Sequence, residues 1–317
     1  MSVIQVEGLA RRFGEVAAVR DVTFTIEPGQ VLGFIGANGA GKTTTMRIMA
    51  TLDVPDAGRV VIGGHDVMNE PEEVRARIGW MPDSYGTYAH TTVWEYLDFF
   101  ARAFGLDGKT RQDAVEDVMA FTDLVEIRER EMDSLSKGMG QRLCLGRALL
   151  HDPGVLILDE PAAGLDPKAR VEFKRLVRLL AKDGKTIFIS SHILSELEEM
   201  CDAVLFIDNG EIVHHGSAES LMTGDDESAI YVVSVATEPE ALVRWADMTP
   251  GVELVELTMK GGRLRFATAE PQTVAEALHR MVRAGLPVVE FRREGRRLEQ
   301  AFIDKLNENG TKNGRLS

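Results

Sequence analysis

Short apolar runs bounded by turn residues set the rhythm of the chain. Val3 to Val6 and Val22 to Ile26 read as strands, the second alternating and stopping at Glu27-Pro28-Gly29. Val31 to Ile35 is apolar and rich in strand formers, and after a glycine-rich stretch Thr45 to Ala50 continues with helix-compatible residues. Arg59 to Ile62 and Arg77 to Met81 predict two more strands, the latter ending at Pro82-Asp83. Helical periodicity then covers Thr92 to Phe104, Gln112 to Phe121 and Gly138 to Leu150, which predicts a helical block inserted into an α/β chain. Val155 to Leu158 and Lys185 to Ser191 return to continuous apolar runs, the form of strands buried on both faces of a parallel sheet. Val204 to Ile207 and Glu211 to Val213 flank Asn209-Gly210, a hairpin signal.

A polar stretch at 223–228 marks a domain boundary after a first domain of 1–222. Beyond it, over 229–307, the pattern predicts strand, helix, strand, strand, helix, strand: a small α+β domain of ferredoxin-like order. Val274, Ala277, Leu278, Met281 and Val282 form one apolar stripe, read as core. The tail over 308–317 is polar and predicts disorder.

Composition narrows the function classes. The chain has 317 residues, ordinary apolar content and a formal net charge of −14, which argues against nucleic acid as the main partner, because phosphate contacts need clustered Lys and Arg. Cys144 and Cys201 lie far apart without metal-ligand spacing, so two buried thiols in a reducing compartment are expected. The N-terminal residues lack the pattern of a secretory signal, and no apolar run is long enough to span a bilayer. These features predict a cytoplasmic chain that does not cross the membrane by itself.

Chemistry concentrates at the ends of the apolar runs. Gly36-Ala37-Asn38-Gly39-Ala40-Gly41-Lys42-Thr43-Thr44 fits GxxxxGK[ST] between a strand and a helix. Glycines let several backbone N–H groups face a polyphosphate at a helix N-terminus; Lys42 would reach the β/γ-phosphates and the Thr43 hydroxyl would ligand Mg²⁺. The run from Val155 ends in Asp159-Glu160, where one carboxylate can hold Mg²⁺ through water and the other can orient an attacking water. His192, at the tip of the next run, is either a γ-phosphate contact or a structural cap. Phe13, upstream of the loop, is either a core residue or a stacking platform for a nucleobase. Tyr85 and Tyr88 lie in a glycine-containing loop where packing is less obligatory, and a partner contact competes with core packing there.

Leu135-Ser136-Lys137-Gly138-Met139-Gly140-Gln141 matches LSxGxxQ one helix ahead of the Asp159-Glu160 strand. With Phe13, the phosphate loop, Asp159-Glu160, Ala163-Gly164-Leu165-Asp166 and His192 in that order, the chain resembles the nucleotide-binding subunit of an ATP-binding cassette (ABC) transporter over about 1–220. The resemblance implies a RecA-like P-loop core with an antiparallel β subdomain and an inserted helical subdomain at about 92–150. It also implies a head-to-tail dimer sandwiching two ATP molecules, in which Ser136, Gly138 and Gln141 of one copy act in trans on the phosphates held by the other. Gly164, Leu165 and Asp166 would lie in the dimer-interface loop, Phe13 would be the adenine platform, His192 a γ-phosphate contact, and Glu160 the catalytic base. A separate transmembrane permease is the expected partner, with the chain peripheral on the inner face of the membrane. Leu298 to Ile303 resembles the ending of C-terminal extensions on drug- and polysaccharide-export cassettes, which points to export; a soluble ABC ATPase acting on ribosomes or DNA is the competing reading.

One position departs from the family pattern. Asp83 stands where Gln usually completes the metal and water shell. A carboxylate can ligand Mg²⁺, yet close to a γ-phosphate it adds repulsion unless a metal bridges the two. The alternatives are a metal-linked coupling role for Asp83 and a solvated side chain on a displaced loop.

Overall fold

A computed structural model describes residues 3–294 except 85, 87, 194–196, 198–199, 218–228 and 269. The predicted linker at 223–228, the export-type ending Leu298 to Ile303, the tail at 308–317 and Tyr85 therefore lie outside the described residues. Two compact units are present, one within Met1–Ala218 and one within Glu219–Ala301.

The first unit holds two sheets. One is antiparallel and built from β1 (Ile4–Phe13), β2 (Val16–Ile26), β4 (Ala57–Ile62) and β5 (His65–Asp66), in the order β2-β1-β4-β5. Strands β1 and β2 are longer than the apolar runs that predict them, and Phe13, expected between strands, ends β1 and pairs with Val16. Register shifts after Val6, Leu9 and Arg11 break the period-two alternation, so these residues do not read as strand in the sequence.

The other sheet has six strands. Its order is β10 (Glu211–Ser217), β9 (Ala203–Asp208), β3 (Val31–Ile35), β8 (Thr186–Ser191), β7 (Val155–Leu158), β6 (Ile78–Met81). All neighbours run parallel except the β9–β10 hairpin. Every residue of β3, β7 and β8 is buried, which accounts for their unbroken apolar runs. Phe24 of β2, Phe34 of β3 and Phe188 of β8 pack with ring centroids 5.0 to 6.4 Å apart and join the two sheets into one core. Each ring contributes roughly 1.5–3 kcal/mol by burial.

The inserted block contains α3 (Val93–Ala103), α4 (Gly108–Phe121) and α5 (Lys137–Leu149). Helix α3 begins at Thr92 with a reciprocal cap: the Thr92 hydroxyl accepts from the Glu95 N–H, and the Glu95 carboxylate accepts from the Thr92 N–H. Beyond β7 comes α6 (Pro167–Lys182), started by Asp166, whose carboxylate accepts from the Ala169 N–H at 2.9 Å, with proline in its first turn.

The second unit runs β11 (Ala229–Val235), α7 (Glu240–Asp247), β12 (Val252–Thr258), β13 (Gly261–Phe266), α8 (Pro271–Arg283), β14 (Val288–Arg293). Its antiparallel sheet has the order β12-β13-β11-β14. Val233, Trp245, Leu264, Phe266 and Met281 form its core. In α8, Val274, Ala277 and Met281 are buried, but Val282 is 60% exposed: one residue past Met281 is a 100° turn of the helix, which carries it off the core stripe.

Candidate active site

The strand-to-helix loop after β3 is closed in by neighbouring backbone. A Cβ on Gly36 would meet the Ile207 carbonyl oxygen at 2.4 Å, and one on Gly41, at φ +109°, would meet the Ala18 carbonyl oxygen at 2.4 Å. Only glycine fits these two sites, and together they hold the loop against β9 and β2. Helix α1 (Lys42–Met49) follows at once, with no side-chain cap and no acidic residue in its first turn. Its first N–H groups and its positive end therefore remain available to an anion.

Lys42 is 5% exposed. Its ammonium donates to the carbonyls of Gly36 at 2.7 Å and Ala37 at 3.2 Å and lies 3.3 Å from Glu160 Oε1. Glu160 leaves the tip of β7 with φ 47°, a left-handed conformation that costs a non-glycine residue about 1–2 kcal/mol and aims its carboxylate at the loop. Its other oxygen, Oε2, is 2.6 Å from His192 Nδ1, so with Glu160 ionised the His192 proton sits on Nδ1. The sheet thus brings Lys42, Glu160 and His192 into one cluster from the ends of three adjacent parallel strands.

Asp159, one residue earlier, is fully buried. Its Oδ1 accepts from the Ser190 hydroxyl at 2.7 Å, the Thr43 hydroxyl is near enough to act on its charge, and Oδ2 has no hydrogen-bond partner. Burial pushes the Asp159 carboxyl up from the usual range; the two hydroxyls oppose that, and the charges of Asp83 and Glu160 add to it. Ser190 also accepts from the Glu160 N–H at 2.8 Å, so one buried hydroxyl fixes both acidic residues. Sequence reading missed Ser190; the signal was two serines closing an otherwise apolar strand.

Asp83 lies just past the end of β6, whose Met81 carbonyl accepts from the Asp159 N–H at 2.8 Å. It is exposed, bonded by the Ser84 hydroxyl at 3.4 Å, and close enough to Asp159 to raise its pKa. Phe13 is 47% exposed, which excludes the core reading. Its strand partner Val16 is two residues from Ala18, the residue that abuts Gly41, so the hairpin end that carries Phe13 starts about 7 Å along β2 from the contact with the phosphate loop.

The second group of sequence-predicted residues gathers elsewhere. Ser136 caps α5, accepting from the Met139 N–H at 3.4 Å, and is exposed. Among the described residues no hydrogen bond or ion pair links Ser136 or Gly138 to the loop cluster. Gln141 behaves differently: it is 1% exposed with Oε1 unpartnered, so its amide offers no accessible atom to a second copy. Leu165 is likewise buried, and Asp166 spends one carboxylate oxygen as the cap of α6, whereas Gly164 turns the chain at φ 67°. Arg142 ties α5 to α6 through an ion pair with Glu172.

Comparison with known proteins decides the family. A family profile described as "ABC transporter" matches residues 19–163. A Bacillus subtilis protein named ABC transporter ATP-binding protein NatA is 38% identical over 224 residues, which covers 69% of this chain and 91% of the relative. The chain belongs to the ABC transporter ATP-binding family. Nod factor export ATP-binding protein I of Ralstonia nicotianae is 33% identical over 302 residues, 95% of this chain and 92% of that protein. A solved structure described as "Structure of ATP binding subunit of ABC transporter" superposes with a TM-score of 0.64 at 28% identity, covering 70% of this chain and 92% of the other. The P-loop cassette fold expected from the sequence is thereby shown, and the chain is an ATP-binding ABC ATPase.

Proposed function

We propose that this ABC ATPase is the energy-coupling subunit of a split exporter, closing on ATP as a head-to-tail dimer and driving a separate membrane permease. The observation that carries the reading is the separation of two half-sites in one chain: Lys42, Asp159, Glu160 and His192 converge on the phosphate loop, while the exposed Ser136 and the half-buried Gly138 at the start of α5 have, among the described residues, no bond to that cluster. A second copy supplies the missing half. Ser136 and the Gly138 N–H would then donate to the γ-phosphate held by the partner loop, at a helix N-terminus that favours anions.

Phosphates at the loop would replace the Gly36 and Ala37 carbonyls as acceptors for Lys42, exchanging neutral partners for charged ones. Glu160, held by the Ser190 hydroxyl at its N–H and by His192 at Oε2, is positioned to accept a proton from water attacking the γ-phosphorus. With its proton on Nδ1, His192 presents Nε2 as an acceptor, so its contact with a γ-phosphate oxygen would run through a bridging water.

A divalent cation fits the residues present. Asp159 Oδ2 is buried without a partner beside the Thr43 hydroxyl, and these are hard oxygen donors. Among the described residues no three acidic, His or Cys side chains form a metal-holding group, so phosphate and water oxygens would complete the shell, the usual arrangement for Mg²⁺. Asp83, past the end of β6, would join the same shell. Bound there, the cation would neutralise developing charge on the phosphates.

Export is supported by likeness to relatives named for export. Among the described residues no helix is long and apolar enough to cross a membrane, so the translocation path is assigned to the permease. Exposed Tyr88 and Phe99 line a concavity with His90, Glu95 and Tyr96 and offer the permease an aromatic contact. The second unit, read as a ferredoxin-like accessory domain, shows no catalytic cluster among its described residues. Sizing of Glu160→Gln with and without ATP tests the composite site: an ATP-dependent dimer is expected, and a monomer under both conditions overturns it. Extraction with detergent tests the partner: a polytopic membrane protein is expected to co-purify, and ribosomes or DNA in its place would reverse the transport assignment.

A further inference from the structure

Phe13 and Arg11 sit two residues apart on β1, and their side chains meet. The Arg11 guanidinium carbon is 4.8 Å from the centroid of the Phe13 ring, within cation–π range, and occupies one of its two faces. Arg11 is held there from both terminal nitrogens, one 2.8 Å from Asp53 Oδ1 and the other 3.1 Å from Asp56 Oδ1. Asp56 is itself fixed to the strand: its N–H donates to the Ala10 carbonyl at 2.9 Å, and its second oxygen accepts from the Arg12 N–H at 2.6 Å. Both carboxylates come from the segment that follows α1, whose first residue is Lys42. The guanidinium side chain is 22% exposed, so the cation acts on the ring through a partly dehydrated gap.

We propose that Arg11 is a positioning residue for the nucleobase: clamped by Asp53 and Asp56, it backs the Phe13 ring so that adenine stacks on the remaining face. Resting on the reading of Phe13 as the adenine platform, the inference adds what gives that exposed ring one orientation. The ring of an unsupported, half-exposed Phe would rotate, and stacking would have to order it. A cation on one face also draws electron density from the ring, which favours a purine on the other. The clamp also links the two ends of the nucleotide site, because the segment that holds Arg11 continues from the helix at whose start Lys42 lies.

Competition binding on the full chain, with a fluorescent ribose-modified ATP displaced by ATP or by inorganic tripolyphosphate, separates base from phosphate recognition. Arg11→Leu is expected to weaken ATP by roughly fivefold, the scale of a surface cation–π contact, while tripolyphosphate binds as in the wild type. Arg11→Lys, which keeps a cation over the ring, is expected to lose less. In a Phe13→Leu background Arg11→Leu is expected to have no further effect. Equal weakening of ATP and tripolyphosphate by Arg11→Leu, or an undiminished effect without the Phe13 ring, overturns the backing role. If Phe13→Leu alone leaves ATP and tripolyphosphate affinities unchanged, the platform reading itself fails and the backing role with it.

Discussion

Two β-sheets of this protein handle charge in opposite ways. In the sheet of the second unit every described arginine on β13 meets a carboxylate: Arg265 pairs with Glu253 across the strands at 2.8 Å, and Arg263 with both Glu256 and Glu294 at 3.0 and 2.7 Å. These groups are partly exposed, mutually satisfied and spread along the strands. In the six-stranded sheet the central strands β3, β8 and β7 are buried throughout, and charge gathers just past the C-terminal ends of the parallel strands. There Asp159 keeps an oxygen without a hydrogen bond, and Glu160 Oε1 has only the Lys42 ammonium at 3.3 Å. A buried polar atom without a partner costs about 1–3 kcal/mol. Two such atoms side by side are suited to a complement from outside, whereas the paired surface network asks for nothing more. Between these two sheets, incomplete satisfaction at the strand tips, and not the number of charges, marks the site.

The contrast breaks most sharply at Glu160. Glu160→Gln keeps the shape but removes the base, and the expected loss of steady-state ATP hydrolysis is roughly 10²–10⁴-fold, with ATP affinity retained. Hydrolysis within tenfold of the wild type would move the base elsewhere. Ser190→Ala withdraws one hydroxyl from both Asp159 and the Glu160 N–H; leaving them unpaired is worth about 1–3 kcal/mol, read as a fall of roughly tenfold or more in kcat with KM for ATP little changed. A rise in KM alone would make Ser190 a binding residue. Asp83→Gln restores the usual amide and is expected to shift the Mg²⁺ concentration for half-maximal hydrolysis by about a few-fold, the scale of one solvent-exposed charge interaction. Identical metal curves for wild type, Asp83→Gln and Asp83→Ala would place Asp83 outside the shell.

Much of this was readable in the sequence, for physical reasons that also explain the gaps. Strands buried on both faces announce themselves as apolar runs, and a glycine-rich loop with Lys and Thr declares its chemistry, so the parallel sheet and the residues at its tips were legible. The extent of β1 was not, because bulges erase the alternation on which strand reading depends. Helix α6 went unpredicted although Asp166-Pro167 is a start signal; those residues were absorbed into the interface-loop motif. Ser190 and the Arg11 clamp depend on which side chains meet across 31 and 45 positions of sequence, a relation that no local pattern carries.

Smaller effects test whether charge away from the strand tips is scaffold. His151 is packed at 4.1 Å against Phe104 with Nε2 3.0 Å from the Ile78 carbonyl, and burial pushes its pKa down. Its folded pKa thus lies below the unfolded value of about 6.5. As pH falls through that value the unfolded chain takes the proton first, so stability declines from there until the folded pKa is passed. His151→Phe is expected to flatten the pH dependence of the denaturation midpoint between neutral and mildly acidic conditions, and an unchanged slope would assign acid sensitivity to other groups. The smallest effect belongs to the second unit. Arg263 is 34% exposed, so its ion pairs with Glu256 and Glu294 are screened by solvent despite their short distances, and such pairs contribute about 0–1 kcal/mol. Arg263→Met is expected to lower the melting temperature of that unit by a few degrees, within roughly 4–8 °C per kcal/mol for a domain of this size, less so at high salt, and to leave ATP hydrolysis untouched. A hydrolysis defect in Arg263→Met without loss of folding would show that the satisfied network is more than scaffold, and would remove unpaired burial as the criterion that tells one sheet from the other.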